Sequence, residues 1–317
     1  MITIGIDLGG TNIKGALVDN VKGILKSYSI PTDAEKGKDY VINQVAKVIM
    51  MAAADAPETP FAAGIGSPGI ISFDRTTVSN PPNFPGWIKE NLAEQLKIKT
   101  GFECYVDNDA NLMALGSSYF GSGKPYDSFI MVTLGTGVGG GIIYQNKLFR
   151  GATGGAAEFG HVIINYNGPL DNSPAKGGIE AYLGQRFLSR HAWDIIRQHP
   201  ENPLYPRFES SPESLEPVHL SMEADLGNKV AIDILKTAGE RLGIAIVNYI
   251  HVLDIRKVII SGGVSKAGDW IIKPACEMAK KRMINAFTDG FEIIIESLGN
   301  DAAVLGAASL PYEYLDS

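Results

Sequence analysis

Asp7-Leu8-Gly9-Gly10-Thr11-Asn12-Ile13-Lys14 decides the reading of this chain. An apolar run, Ile2 to Ile6, delivers an acid, two glycines, a hydroxyl and a lysine, and an alternating run follows from Ile13 to Val18. Glycines let consecutive backbone N–H groups converge on an anion. Thr11 adds a hydroxyl donor, Lys14 a point charge, and Asp7 suits a water-mediated contact to Mg²⁺. Alone, the stretch fits a tight hairpin with a solvated lysine equally well. A second stretch, Thr133-Leu134-Gly135-Thr136-Gly137-Val138-Gly139-Gly140-Gly141, also follows an apolar strand, Phe129 to Leu134. Two such turns in one chain favour a pair of phosphate-holding turns over two chance hairpins.

Rival phosphate motifs fail on context. Gly135 to Gly140 matches G-x-G-x-x-G, but that fingerprint must open a helix. Here Gly141-Ile142-Ile143-Tyr144 follows, which reads as a strand. A P-loop needs Gly-Lys-Ser/Thr after a fixed spacing, and Gly123-Lys124 is followed by Pro125. A third turn, Ser261-Gly262-Gly263-Val264, comes after Val258-Ile259-Ile260 and before a helix. Its glycine pair fits either a flat ring lying on the backbone or a plain strand-to-helix turn.

Working outward, Ile2 to Ile6, Ile13 to Val18 and Ile24 to Ile30 read as a β-meander. Apolar spacing at Val41, Ile42, Val45, Val48, Ile49 and Ala52 predicts a helix over Tyr40 to Ala53. Phe61–Ile65 and Cys104–Val106 read as strands, with a helix from about Trp87 to Leu96 between them. Strand, glycine turn, strand recurs at Phe129 to Tyr144, an architectural duplication. Glu158 to Ile164 reads as a strand, Ile179 to His191 as a helix and Gln198 to Pro217 as a surface loop. Ala224 to Ile250 reads as a long buried helix, and Asp301 to Leu310 as a closing Ala-rich one.

The 317 residues, 45% hydrophobic and 20% charged, suit two lobes with cores of their own. A formal charge of −7 disfavours nucleic acid as a partner. No segment is apolar and long enough for a membrane span, and the first residues lack a signal peptide's basic flank. Cys104 and Cys276, far apart, read as buried thiols of a cytoplasmic protein.

Tyr105-Val106-Asp107-Asn108-Asp109-Ala110-Asn111 joins a strand to a helix. Loops at the carboxyl ends of strands bind ligands in α/β folds. Asn108 suits a sugar diol, donating and accepting, and Asp109 suits the proton of an attacking hydroxyl. Helix capping accounts for one of these polar residues, not for all of them. Glu158-Phe159-Gly160-His161 adds an acid and a histidine that strict alternation would put on opposite faces, unless Gly160 makes a bulge. Glu180 opens a helix after Gly177-Gly178, where a negative charge is favourable in any case.

Together these motifs resemble the ROK family (repressor, open reading frame, kinase), within the sugar kinase, Hsp70 and actin fold. Gly64-Ile65-Gly66-Ser67-Pro68-Gly69, Asn83-Phe84-Pro85-Gly86-Trp87, Gly178-Ile179-Glu180-Ala181-Tyr182 and Asn300-Asp301-Ala302-Ala303-Val304-Leu305-Gly306-Ala307-Ala308 complete the match. The resemblance runs nearly end to end. It implies a two-lobed α/β, actin-like ATPase fold with a duplicated mixed-sheet core and an active-site cleft. The lobes are expected at 1–117, with a helix near 300–317 packing back on it, and at 118–299. It implies ATP-dependent phosphorylation of a hexose, glucose at O6 being preferred. N-acetylglucosamine, N-acetylmannosamine, fructose, mannose and allose are the alternatives. Asp109 would be the general base, and Gly66, Asn83, Asn108, Glu158, His161 and Glu180 would bind the sugar. Asp7, Gly9, Gly10, Thr11, Lys14, Thr133, Gly135, Thr136, Gly137, Gly262 and Gly263 would bind ATP. Asp7 would hold Mg²⁺ through water. A homodimer is implied.

One departure matters. The family's kinases carry three cysteines before the Gly-x-Glu helix, which with a histidine at position 161 hold structural zinc. Here those positions are Asp171, Ser173 and Gly178. No structural zinc is expected, and hydrogen bonds should fix the 167–178 loop. The family also contains sugar-responsive repressors, but with the first phosphate turn at Asp7 an N-terminal helix-turn-helix is not expected.

Overall fold

The structure is a computed structural model that describes residues 1–172 and 176–314. The chain divides into two compact units. One comprises 1–128, 141–157 and the C-terminal segment from 296; the other comprises 129–140 and 158–295. The expected boundary at residue 117 falls inside the Asp109–Phe120 helix, which stays whole in the first unit.

The first unit is built on a five-stranded sheet in the order Gly23–Pro31, Asn12–Asp19, Ile2–Leu8, Ala63–Ser67, Cys104–Asn108. The first three form the expected antiparallel meander, and the last two run parallel to Ile2–Leu8. Side chains alternate across a strand, and the sequence uses both faces. Ile2, Ile4, Ile6 and Leu8 join one core with Val41, Ile42, Val45, Val48 and Ile49 of the Lys38–Ala54 helix. On the opposite face the buried Thr3 hydroxyl donates to the Ala308 carbonyl at 2.8 Å.

That second face is closed by backbone contact. A Cβ at Gly5 would stand 2.0 Å from the Val304 carbonyl oxygen, and one at Gly64 1.8 Å from that of Ala307. The Ala302–Ser309 helix therefore lies directly on the strands. Gly116 and Gly306 let the same helix meet the Asp109–Phe120 helix equally closely. Its Ala-rich composition is the requirement for this approach.

The second unit repeats the pattern. Phe129–Leu134, Lys257–Ser261 and Glu292–Ile295 run parallel. Within this unit the strand order is 138–140, Phe129–Leu134, Lys257–Ser261, Glu292–Ile295. The Lys229–Leu253 helix packs on Asp269–Arg282 through Gly239 and Gly243, whose Cβ positions would meet the Ile271 and Ala275 carbonyls. The long predicted helix starts later than expected: Pro217–Asp225 is separate, and Asn228 caps Lys229–Leu253.

Further expectations are corrected. The helix expected from about Trp87 to Leu96 starts at Leu92 and runs to Thr100, after a short strand at Lys89–Asn91. Glu158 to Ile164 is not a strand: Phe159–His161 is a 3-10 turn, with only a bridge from Ile163 to Gly178. Gly160 stands against the Val138 carbonyl, and Phe159 is buried beside Tyr249, so the segment turns inward. Gln198 to Pro217 is not all loop, because Leu204 and Phe208, four apart and both buried, anchor the Leu204–Phe208 helix. The helix expected over Ile179 to His191 is two, Glu180–Leu183 and Gln185–Ile196, parted at Gly184. Cys104 is buried, which pushes its thiol up to about 12. Cys276 is only half-buried.

Candidate functional site

In the first unit, Asp7, Gly66 and Asp107 stand side by side at the carboxyl ends of three parallel strands. This edge is where an open α/β sheet leaves room for a ligand. Lys14 faces Asp7 across the hairpin. The turn between them is closed by Gly9 N–H donating to the Asn12 carbonyl and pinned by Thr32, whose hydroxyl donates to the Gly9 carbonyl at 2.7 Å. Gly10 and Thr11 are exposed at its tip. A Cβ at Gly10 would touch the Asn83 side chain at 3.4 Å, so Asn83 borders the phosphate turn. Gly66 lies against Leu112 and the Asp109 Cα.

Asn108 caps the Asp109–Phe120 helix. Its side-chain oxygen accepts from Ala110 N–H at 2.9 Å and Asn111 N–H at 3.3 Å, and its amide donates to the Gly69 carbonyl. Much of its hydrogen-bonding capacity thus serves the turn. Asp109, first in the helix, accepts from Ala110 N–H at 2.9 Å. Burial raises the Asp109 carboxyl. Asp7 is raised to about 6, by burial first and by the Asp109 charge second, with Lys14 opposing.

In the second unit, Thr133 pairs with Ser261, and Gly135, Thr136 and Gly137 turn into the Val138–Tyr144 strand. Gly135 N–H donates to the Gly137 carbonyl, and the Gly135 carbonyl accepts from Gln185 N–H at 2.9 Å. Glu180 is buried beneath this turn: its carboxylate accepts from Val138 N–H at 2.9 Å and the Asn172 amide at 3.3 Å. A Cβ at Gly137 would strike that carboxylate, which explains glycine there. Gly262, at φ +94, packs on the Leu134 backbone, while Gly263 faces open space. The plain structural reading of the third turn thus accounts for Gly262.

The tight turn at 159–161 puts His161 Nε2 4.0 Å from the Glu158 carboxylate, so the two share a side after all. His161 Nδ1 lies 3.6 Å from the fully buried Asp171 carboxylate. Gly178 makes room for that carboxylate, since a Cβ there would stand 2.7 Å from it. Gly177 N–H donates to the Pro169 carbonyl, and Ile164 N–H to that of Gly177. Ser173 lies outside the described residues.

Sequence reading missed a cavity of about 640 Å³ beside Thr136, lined by Gln185, Arg186, Ser189, Arg190 and Trp193. Its donors are spaced along one helix, Gln185–Ile196, and each resembles an ordinary surface residue in sequence. It also missed Asn172.

The ROK family model matches residues 3–313, and the chain belongs to that family. It is 36% identical over 307 residues to the glucokinase of Thermotoga maritima, covering 97% of this chain and 96% of that one. A solved ROK family glucokinase from Streptomyces griseus, in complex with glucose and AMPPNP, is 32% identical with a TM-score of 0.83, covering 98% of this chain and 99% of that one. The xylose repressor of Caldicellulosiruptor bescii is 29% identical over 310 residues, 97% of this chain and 77% of the repressor.

Proposed function

We propose that this protein is an ATP-dependent hexose kinase that phosphorylates glucose at O6, with Asp109 as general base. The observation that carries the reading is the raised carboxyl pair, Asp7 and Asp109, at the carboxyl edge of the first unit's sheet. A general base works best when its pKa approaches the operating pH. Asp109 takes the hydroxyl proton as the sugar oxygen forms its bond to the γ-phosphorus; the bond from phosphorus to the β,γ-bridging oxygen breaks, and ADP leaves. Such transfer needs positioning and charge stabilisation more than covalent chemistry.

The donors suit their parts. Gly9, Gly10, Thr11 and Lys14 serve the phosphates from the first unit, and Thr133, Gly135, Thr136 and Gly137 from the second. The cavity beside Thr136 is offered for the nucleoside, and Gly262 and Gly263 for its base, as the family resemblance implies. Gly66, Asn83, Asn108, Glu158, His161 and Glu180 serve the sugar. Asn108 and Glu180 also brace the turns beside it, through bonds to Ala110 and Val138. Asp7 suits Mg²⁺, which keeps several waters and takes one or two carboxylates. A buried carboxyl with a second acid charge nearby fits such an ion. When bound, Mg²⁺ would neutralise phosphate charge.

A homodimer in the cytoplasm completes the proposal. Among the described residues no helix is long and apolar enough to cross a membrane. ATP consumption over a panel of glucose, mannose, fructose, allose and the N-acetylhexosamines tests the activity, ranked by kcat/KM. Sugar binding without turnover of any sugar defeats it, and a higher kcat/KM for an N-acetylhexosamine overturns the choice of glucose.

A further inference from the structure

We propose that Asp107, clamped between Arg75 and Arg150, is a positioning residue that sets the turn on which the base stands. This rests on the reading of Asp109 as base. Asp107 is fully buried. Its Oδ1 accepts from Asn108 N–H at 2.8 Å and from the Asn111 amide at 3.0 Å. Asn108 caps the helix but cannot satisfy its own N–H, and Asp107 does. Its Oδ2 lies 2.9 Å from Arg150 Nε and 3.3 Å from Arg75 Nε.

Each guanidinium is itself held. Arg150 donates to the Phe73 and Ser72 carbonyls at 2.6 and 3.0 Å. Arg75 pairs with Glu313, whose other oxygen accepts from Leu148 N–H at 3.1 Å. The Arg75 carbonyl accepts from Val106 N–H, one residue before Asp107. Four chain segments therefore converge on one carboxylate two residues from the base.

Stability alone does not explain this cluster. Apolar residues of similar volume would pack as well or better than buried ions. Burial pushes the Asp107 carboxyl up, and the two guanidiniums pull against it. What the clamp supplies is position: ion pairs on two sides, without hydrogen-bond alignment at Oδ2, keep the carboxylate in place while Oδ1 holds Asn108 and Asn111, which belong to the first turn of the Asp109–Phe120 helix. The clamp is also neutral as a whole, with Asp107 and Glu313 matched to Arg75 and Arg150.

Asp107→Asn tests this through steady-state kinetics with glucose and ATP, read as the split between kcat and KM. A base misplaced by about 1 Å costs on the order of 10²-fold, so kcat is expected to fall about that far while both KM values stay within about threefold. Unchanged kcat overturns the proposal. So does a kcat that falls together with a KM for glucose raised about as far, since loosened structure alone would give that.

If Asp107→Asn does not fold, Asp107→Asn/Arg150→Met, which is neutral again, carries the test. It should keep the low kcat with both KM values near those of the wild type, and full kcat in this folded variant overturns the proposal. Asp109→Asn is measured alongside. Full turnover there refutes the base itself. Lost turnover there with an unaffected Asp107→Asn refutes only the positioning role.

Discussion

Asp7→Asn should make the unliganded protein more stable while removing its activity. Asp7 is held at about 6 instead of 3.8, by burial and the neighbouring Asp109 charge. Each pKa unit corresponds to about 1.36 kcal/mol, so ionised Asp7 destabilises the native state by about 2–3 kcal/mol. The sign follows from proton binding. The unfolded chain releases this proton near 3.8 and the native state near 6, so between them the native state binds more protons. Stability therefore falls as pH rises through that window and levels off above it. Asparagine has the same shape and no charge to desolvate. At about 2 °C per kcal/mol for a chain of this size, the variant's Tm should exceed wild type by about 5 °C at pH 7.5. The gap should close below pH 4. Scanning calorimetry without nucleotide or sugar is the assay, because ligand adds its own stabilisation. An equal gap at pH 4 and 7.5, or a less stable variant at pH 7.5, refutes the reasoning.

Asp109→Asn should retain sugar binding and lose turnover by roughly 10²–10⁴-fold, measured by titration and by coupled ADP release; unchanged turnover removes its role. Wild-type kcat/KM should fall as pH drops through the raised carboxyl range, because protonated Asp109 and Asp7 cannot accept or hold a cation, and a flat profile from pH 5 to 8 contradicts this. Gly64→Ala should destabilise by about 1–3 kcal/mol or more, since its Cβ would stand 1.8 Å from the Ala307 carbonyl; an unchanged Tm would mean the last helix sits farther off. Elemental analysis should find no stoichiometric zinc, with a full equivalent showing that other ligands hold it.

Most of the first unit was legible because it depends on period and punctuation. Apolar positions three and four apart gave the Lys38–Ala54 helix, and alternation gave the meander. Glu158–His161 was misread because its apolar neighbours imitate a strand. What bends it is Gly160 against a carbonyl more than twenty residues away in sequence, which no local pattern reports. The same limit applies to the site. Asp109 and Asp7 stand out in their motifs, but the work of Asn108 as a cap and of Glu180 beneath the glycine turn appears only once their partners are placed. Asp107 looks like one more polar residue in a run until Arg75 and Arg150 arrive from distant segments.

The close seat of the Ala302–Ser309 helix on Gly5 and Gly64 bears on how the chain is made. The strands that carry Asp7 and Gly66 leave the ribosome well before the Ala302–Ser309 helix that covers their second face. At about 5–20 residues per second, roughly 12–60 s separate the two. Through that interval the nascent first unit has a sheet with one open face. A nick or stop codon ahead of Ala302 should thus act like a lesion in the first strand.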